Sequence, residues 1–116
     1  MDIYHVWFDL KPGTSDVALS DALAAYLGRL RDDGRIVGWR LTRRKLGLAP
    51  ASLRDFHLMI ELKDLQQLDA AFTAVAARSD PVEGLHFAVN SLVSDAFFAL
   101  YRDFPDAARQ RGEERF

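Results

Sequence analysis

Apolar and polar positions alternate through the first ten residues of the chain. Every second residue from Tyr4 to Leu10 is apolar or aromatic, while His5 and Asp9 lie among the residues between them. A period of two is typical of a β-strand whose two faces meet different surroundings. The tripeptide Lys-Pro-Gly follows directly and indicates a turn. The pattern therefore predicts a first strand that ends near residue 10.

Two later stretches have the period of an amphipathic helix. The first begins at a Thr14 or Ser15 cap and stops at Gly34. Its apolar stripe consists of Leu19, Leu23, Tyr26, Leu27 and Leu30. The second begins at the capping-box pair Asp64 and Gln67. Its stripe consists of Leu65, Leu68, Phe72 and Val75.

Two more strands are predicted between these helices, and a last pair of elements follows them. Alternation runs through residues 37–42 and again through 56–62. Segment 82–93 fits both a helical stripe and a strand, since Leu85, Phe87 and Val89 alternate. The Asp-Pro-Val-Glu sequence before it is typical of a helix start. We therefore predict a helix there and a fourth strand at about residues 95–103.

This order of elements predicts an α+β, ferredoxin-like βαββαβ fold. It has a four-stranded antiparallel sheet with its helices on one face. Residues 1–104 would form this domain, and residues 105–116, which contain few apolar side chains, a C-terminal tail. The predicted core face of the sheet consists of Val6, Phe8, Val37, Trp39, Leu41, Phe56, Leu58, Ile60, Phe98 and Leu100.

The other face of the sheet, here called the outer face, mixes aromatic rings with ionisable groups. Its predicted members are His5, Trp7, Asp9, Arg40, Thr42, His57, Met59, Glu61, Phe97, Ala99 and Tyr101. An apolar patch of this size usually marks an interface or a ligand groove. We therefore predict a homodimer in which two outer faces meet and enclose a partly polar cleft.

Composition limits the classes of function. The 116 residues are 49% hydrophobic and 28% charged, with a net charge of -2 and no cysteine. A disulfide scaffold, a thiolate metal site and thiol chemistry are excluded. The balanced charge argues against nucleic-acid binding, and no apolar run is long enough for a membrane span. With no signal segment at the N-terminus, we expect a soluble, cytoplasmic protein without membrane partners.

The run from Tyr4 to Gly13, YHVWFDLKPG, and the Thr-Ser cap after it resemble the opening strand of dimeric α/β-barrel proteins. That superfamily includes stress-responsive barrel, NIPSNAP-like and EthD-like proteins and small cofactor-independent monooxygenases. The resemblance in topology extends to about Asp103. It implies a homodimer with a ligand cleft between sheet and helices, and it specifies no reaction. The haem-binding pattern of one branch is not matched, because the first strand lacks asparagine and the third lacks tryptophan, and no cofactor is implied.

His5 and His57 are the candidate catalytic residues. They lie on strands that pair at the centre of a ferredoxin-like sheet, and Asp9 and Glu61 are near in sequence. Histidine exchanges protons near neutral pH, so the pair is suited to acid–base chemistry. His5, His57 and Glu61 also have the composition of a metal site, but no compact ligand motif occurs and we expect no metal. Alternatively, both histidines only form hydrogen bonds at the dimer interface.

The candidate binding residues surround that pair. Trp7 and Tyr101 would stack on a flat ligand, and Arg40 would hold a negative charge. His86 and Asn90 are spaced i, i+4 and would share a helix face at the cleft mouth. Alternatively, His86 and Asn90 bind no ligand and form only a polar edge beside the apolar core.

Two functions fit these residues. The first is a homodimer that binds a small aromatic or acidic organic molecule. In this function it also transforms the molecule, as a monooxygenase-like or isomerase-like enzyme. The second is a non-catalytic ligand-binding or dimeric interaction module. The sequence leaves the substrate and the reaction open.

Overall fold

The predicted order of elements is confirmed by the structure, a computed structural model that describes residues 1–109. The elements are β1 (Asp2–Leu10), α1 (Asp16–Asp32), β2 (Gly38–Arg43), β3 (Phe56–Leu62), α2 (Leu65–Ala76), α3 (Val82–Asn90) and β4 (Val93–Arg102). The ambiguous segment is thus mainly helical, and β4 begins slightly earlier than expected. Within the described residues, no helix is long and apolar enough to cross a bilayer. Of the predicted tail, residues 110–116 lie outside the described residues.

The four strands form one antiparallel sheet in the order β2-β3-β1-β4. This is the predicted ferredoxin-like arrangement, with β1 and β3 at the centre. In the register of these two strands, His5 lies opposite Met59 and Trp7 opposite His57. Because side chains alternate between faces, His5 and His57 are diagonal neighbours on the same side of the sheet.

The core lies between the central strands and α1. The Ser15 hydroxyl accepts a hydrogen bond from the Ala18 amide at 3.2 Å and starts the helix. Gly34, with φ +73°, follows its end. The helix buries its predicted leucines against the helix-facing side of the sheet. The most deeply buried side chains of the core are Phe8, Leu19, Leu23, Leu27, Leu30, Ile36, Leu58 and Leu62.

Part of the predicted core face is exposed. Phe98 and Leu100 on β4 are 59% and 48% exposed, and Val37 is 43% exposed. The expectation that these three belong to the core is therefore wrong. β4 is an edge strand that the helices do not cover, and Val37 precedes β2 rather than lying in it. Alternation assigns a residue to a face, whereas burial also depends on how far the helices extend across the sheet.

An irregularity in β4 sets the position of Phe97. Trp7 pairs with Phe97, but Asp9 pairs with Ser94, so β4 has one more residue than β1 across this interval. Asp95 has φ +52°, a left-handed conformation that aspartate tolerates better than most residues. This bulge keeps Phe97 on the outer face beside Trp7.

Candidate functional site

Five aromatic rings from three strands make contact on the outer face of the sheet. The Trp7 and His57 ring centroids are 4.4 Å apart with planes 7° from parallel, and Phe97 stacks on Trp7 at 5.3 Å. The Tyr101 ring meets the His5 ring edge-on at 4.9 Å. We call His5, Trp7, His57, Phe97 and Tyr101 the aromatic cluster. Four of these five residues are predicted site residues, and the structure brings their side chains together. They are His5, Trp7, His57 and Tyr101.

A hydrogen bond joins the two histidines at the centre of the aromatic cluster. His5 Nδ1 and His57 Nε2 are 2.8 Å apart, so one nitrogen donates a proton and the other accepts it. Burial lowers the pKa of both rings, and the neighbouring His5 lowers the pKa of His57 further. Both rings are therefore neutral near neutral pH. The hydrogen bond fits this state, because a neutral imidazole has one nitrogen that donates and one that accepts.

The pair makes folding stability depend on pH. Both pKa values lie below the ordinary 6.5, so the unfolded chain binds more protons than the folded chain below that pH. The contribution of the two neutral histidines to the free energy of unfolding is complete above pH 6.5. It is lost as the pH falls through their lowered pKa values. We expect the free energy of unfolding, measured by urea titration, to decrease between pH 7.5 and pH 5. The double variant His5→Gln, His57→Gln should show a smaller decrease, and an unchanged decrease would contradict this account.

Of the charged residues expected around the histidines, Asp9 has other partners, while Arg40 and Glu61 lie on neighbouring strands. The Asp9 carboxylate accepts a hydrogen bond from the Asp55 amide at 2.9 Å and faces Arg54 at 3.6 Å, so it holds the start of β3. Arg40 is exposed on the edge strand β2, where the register makes it a diagonal neighbour of His57. Glu61 pairs with Ile3 and is a diagonal neighbour of His5. Within residues 1–109, no three His, Asp or Glu side chains are grouped as metal ligands.

A cavity of about 240 Å³ lies on the opposite side of the sheet, between the strands and the helices. We call it the inner cavity. Val6, Leu23 and Val75 contribute to its apolar walls, and His86 and Asn90 on α3 line it together. These two residues therefore lie on one face of α3. The mouth of the cavity lies beside exposed residues of α2, α3 and β4, since the lining residues Phe72, Asn90, Ala96 and Phe98 are exposed.

Two tyrosine residues line the inner cavity. The Tyr26 ring on α1 lies 5.4 Å from the His86 ring, and Tyr4 on β1 stacks on Phe98. Burial, together with the neighbouring Tyr4, raises the pKa of Tyr26 to about 12. Burial also raises the pKa of Tyr4 above its ordinary value. Both hydroxyls therefore stay protonated near neutral pH and are able to donate a hydrogen bond.

A family model matches residues 1–116, the full length of the chain. The chain belongs to DUF6614, a family of unknown function. No curated protein matches the DUF6614 chain in sequence.

Solved structures with the same fold confirm the predicted resemblance to ferredoxin-like proteins. A protein from Arabidopsis thaliana has a TM-score of 0.70 and 5% identity, and the match covers 89% of this chain and 95% of that one. A dimeric ferredoxin-like protein of unknown function from Thermobifida fusca has a TM-score of 0.58 and 16% identity, over 87% and 90% of the chains. SnoaB, a cofactor-independent oxygenase from Streptomyces nogalater, has a TM-score of 0.57 and 13% identity, over 97% of each chain.

The structure of the DUF6614 chain divides the predicted site residues between two faces. His86 and Asn90 line the inner cavity, whereas the predicted residues on β1–β4 lie on the outer face. The cavity is therefore not on the side that carries His5 and His57. Sequence reasoning missed Tyr4 and Tyr26, because each was assigned to an apolar stripe. A hydroxyl on such a stripe was the available signal, since a buried tyrosine usually needs a polar partner.

Proposed function

We propose that the DUF6614 chain binds a small organic molecule in the inner cavity and acts as a homodimer. The cavity carries the proposal. Its volume of about 240 Å³ is far more than one water occupies, and its mouth opens beside exposed residues, so a ligand is able to enter. Its walls are mostly apolar with a few polar groups, which is the usual composition of a ligand site.

The homodimer is supported by the outer face. The aromatic cluster forms a wide surface there that the helices, on the other side of the sheet, leave uncovered, and Tyr101 is 61% exposed. Contiguous apolar surfaces of this kind usually meet a partner. The structurally similar Thermobifida fusca protein is described as dimeric. In this proposal a second copy covers the aromatic cluster, and the His5–His57 hydrogen bond becomes part of the interface.

Chemical transformation of the bound molecule is a second candidate, favoured by the position of His86. Its imidazole lines the inner cavity beside Tyr26, so a side chain suited to general base catalysis faces the ligand space. The likeness to a cofactor-independent oxygenase over 97% of each chain is consistent with this role. His86→Gln should then abolish turnover while leaving the affinity for the ligand within about threefold.

A cavity-filling variant tests the binding site. Val75 lines the inner cavity, so Val75→Trp should fill it and abolish the binding of small aromatic fragments identified on the wild-type chain by saturation-transfer NMR. Val17→Trp is the matched control, because Val17 is 65% exposed on α1 and does not line the cavity. It should bind the same fragments as the wild type.

The opposite result would favour a non-catalytic interaction module. If no fragment binds the wild-type chain, and Val75→Trp changes only the stability, the inner cavity is a packing void. Fragments that still bind to the Val75→Trp variant would show that the ligand site lies elsewhere on the chain.

A further inference from the structure

The lining of the inner cavity contains no formally charged residue. Among the described residues that line it, none is Lys, Arg, Asp or Glu, and the polar side chains are Tyr4, Tyr26, His86 and Asn90. The chain nevertheless has 28% charged residues. Charged side chains therefore lie outside this wall, and a charge placed inside would meet no counter-ion from the lining.

The state of Tyr26 shows how strongly this wall disfavours charge. Burial is the largest cause that raises its pKa to about 12, which means that the ionised form is destabilised at this position. A carboxylate on a ligand would be subject to the same loss of hydration. Arg40, the residue expected to hold a negative charge, is exposed on the outer face and does not line the inner cavity.

Tyr26 also supplies a donor to the ligand space. Among the described residues the Tyr26 hydroxyl forms no hydrogen bond and is not one of the fully buried side-chain polar atoms, and Tyr26 lines the inner cavity. A protonated phenol in an apolar wall is stabilised by an acceptor such as a carbonyl or ether oxygen. The tilted His86 ring beside it places a second polar group at the same end.

We infer that the inner cavity selects an uncharged, largely apolar molecule with one hydrogen-bond-accepting group directed at Tyr26. This inference rests on the proposed function and names the ligand class of that site. The size follows from a comparison, because an apolar cavity of ~150 Å³ is able to hold benzene. The inner cavity is larger, at about 240 Å³, and therefore suits a molecule of roughly ten non-hydrogen atoms.

Three probes of equal size separate the contributions of charge and hydrogen bonding. Acetophenone is neutral with one acceptor, benzoate is ionised at pH 7, and cumene has no polar atom. We expect isothermal titration calorimetry to show that acetophenone binds at least about tenfold more tightly than benzoate. Acetophenone should also bind about five- to tenfold more tightly than cumene, as expected for one hydrogen bond.

The variant Tyr26→Phe isolates the hydroxyl group. It should reduce the affinity for acetophenone to or below that for cumene, because the carbonyl would lose its hydration without gaining a donor, and leave the affinity for cumene unchanged. Tyr101→Phe removes a hydroxyl from the outer face and should change neither value. An unchanged acetophenone affinity in Tyr26→Phe would overturn the assigned donor.

The outcomes distinguish this inference from the proposed function. If benzoate binds as tightly as acetophenone, and Val75→Trp abolishes both, the binding site stands and the selection for uncharged molecules is overturned. If none of the three probes binds the wild-type chain, the proposed binding function fails and this inference fails with it.

Discussion

A Phe97→Arg variant is expected to be monomeric at concentrations at which the proposed wild-type dimer forms. Phe97 lies on the edge strand β4 and stacks on Trp7 of the outer face, at a centroid distance of 5.3 Å. In the proposed dimer a guanidinium group at this position would lose its hydration when the outer face of the second copy covers it. We expect the dissociation constant to rise at least about a hundredfold, or about 2.7 kcal/mol.

Sedimentation velocity across a range of protein concentrations measures this effect. Phe87→Arg is the matched control, because Phe87 is 66% exposed on α3, which packs on the other side of the sheet. It should leave the dissociation constant unchanged. Circular dichroism should show that Phe97→Arg stays folded, since an arginine side chain is able to stack on the Trp7 indole. A wild-type chain that is monomeric throughout would refute the dimer, and a dimeric Phe97→Arg would move the interface to another surface.

The strand pattern predicted the two faces of the sheet because the period of two is local. A residue such as Trp7 must point away from Phe8, whatever the rest of the chain does. The approach of His5 to His57 followed from the central position of β1 and β3 in a ferredoxin-like sheet, and the 2.8 Å hydrogen bond confirms that they are neighbours. These features depend only on alternation and on the pairing of two strands.

The location of the cavity was not predictable in this way. It depends on how α1, α2 and α3 are placed over the sheet, which leaves β4 uncovered and Phe98 exposed. Periodicity carries no information about that placement. Tyr26 illustrates the difficulty, because it occupies a position of the leucine stripe and yet its side chain borders an unfilled space. An apolar stripe predicts which side faces inward, but it does not predict whether the interior is filled.

The two faces therefore have different chemistry and, in the proposed function, different partners. The outer face has aromatic rings around neutral histidines whose lowered pKa values reflect partial burial. A second copy that covered this face would bury the rings further and oppose their protonation more strongly. The inner cavity has hydroxyl and imidazole groups in an apolar wall. Dimer assembly and ligand binding are thus separable by mutation, because no residue of the aromatic cluster lines the inner cavity.

Leu27→Ala is expected to lower the free energy of unfolding by about 2–5 kcal/mol and to enlarge the inner cavity at the same time. Leu27 is fully buried and lines the cavity. Its shortened side chain would lose contacts with the core and add its former volume to the ligand space. Leu19→Ala is the matched control, since Leu19 is also fully buried on α1 but does not line the cavity.

Both variants should be destabilised, but only Leu27→Ala should bind a bulkier ligand more tightly than the wild type does. Isobutyrophenone, which has a branched chain where acetophenone has a methyl group, is a suitable probe. At about one hundred times its dissociation constant it should restore about 2.7 kcal/mol of the lost stability in Leu27→Ala. Urea denaturation with and without the probe measures this recovery. Equal recovery in Leu19→Ala and Leu27→Ala would show that the probe binds outside the inner cavity. A Leu27→Ala cost below about 1 kcal/mol would show that Leu27 is not packed in the core as described.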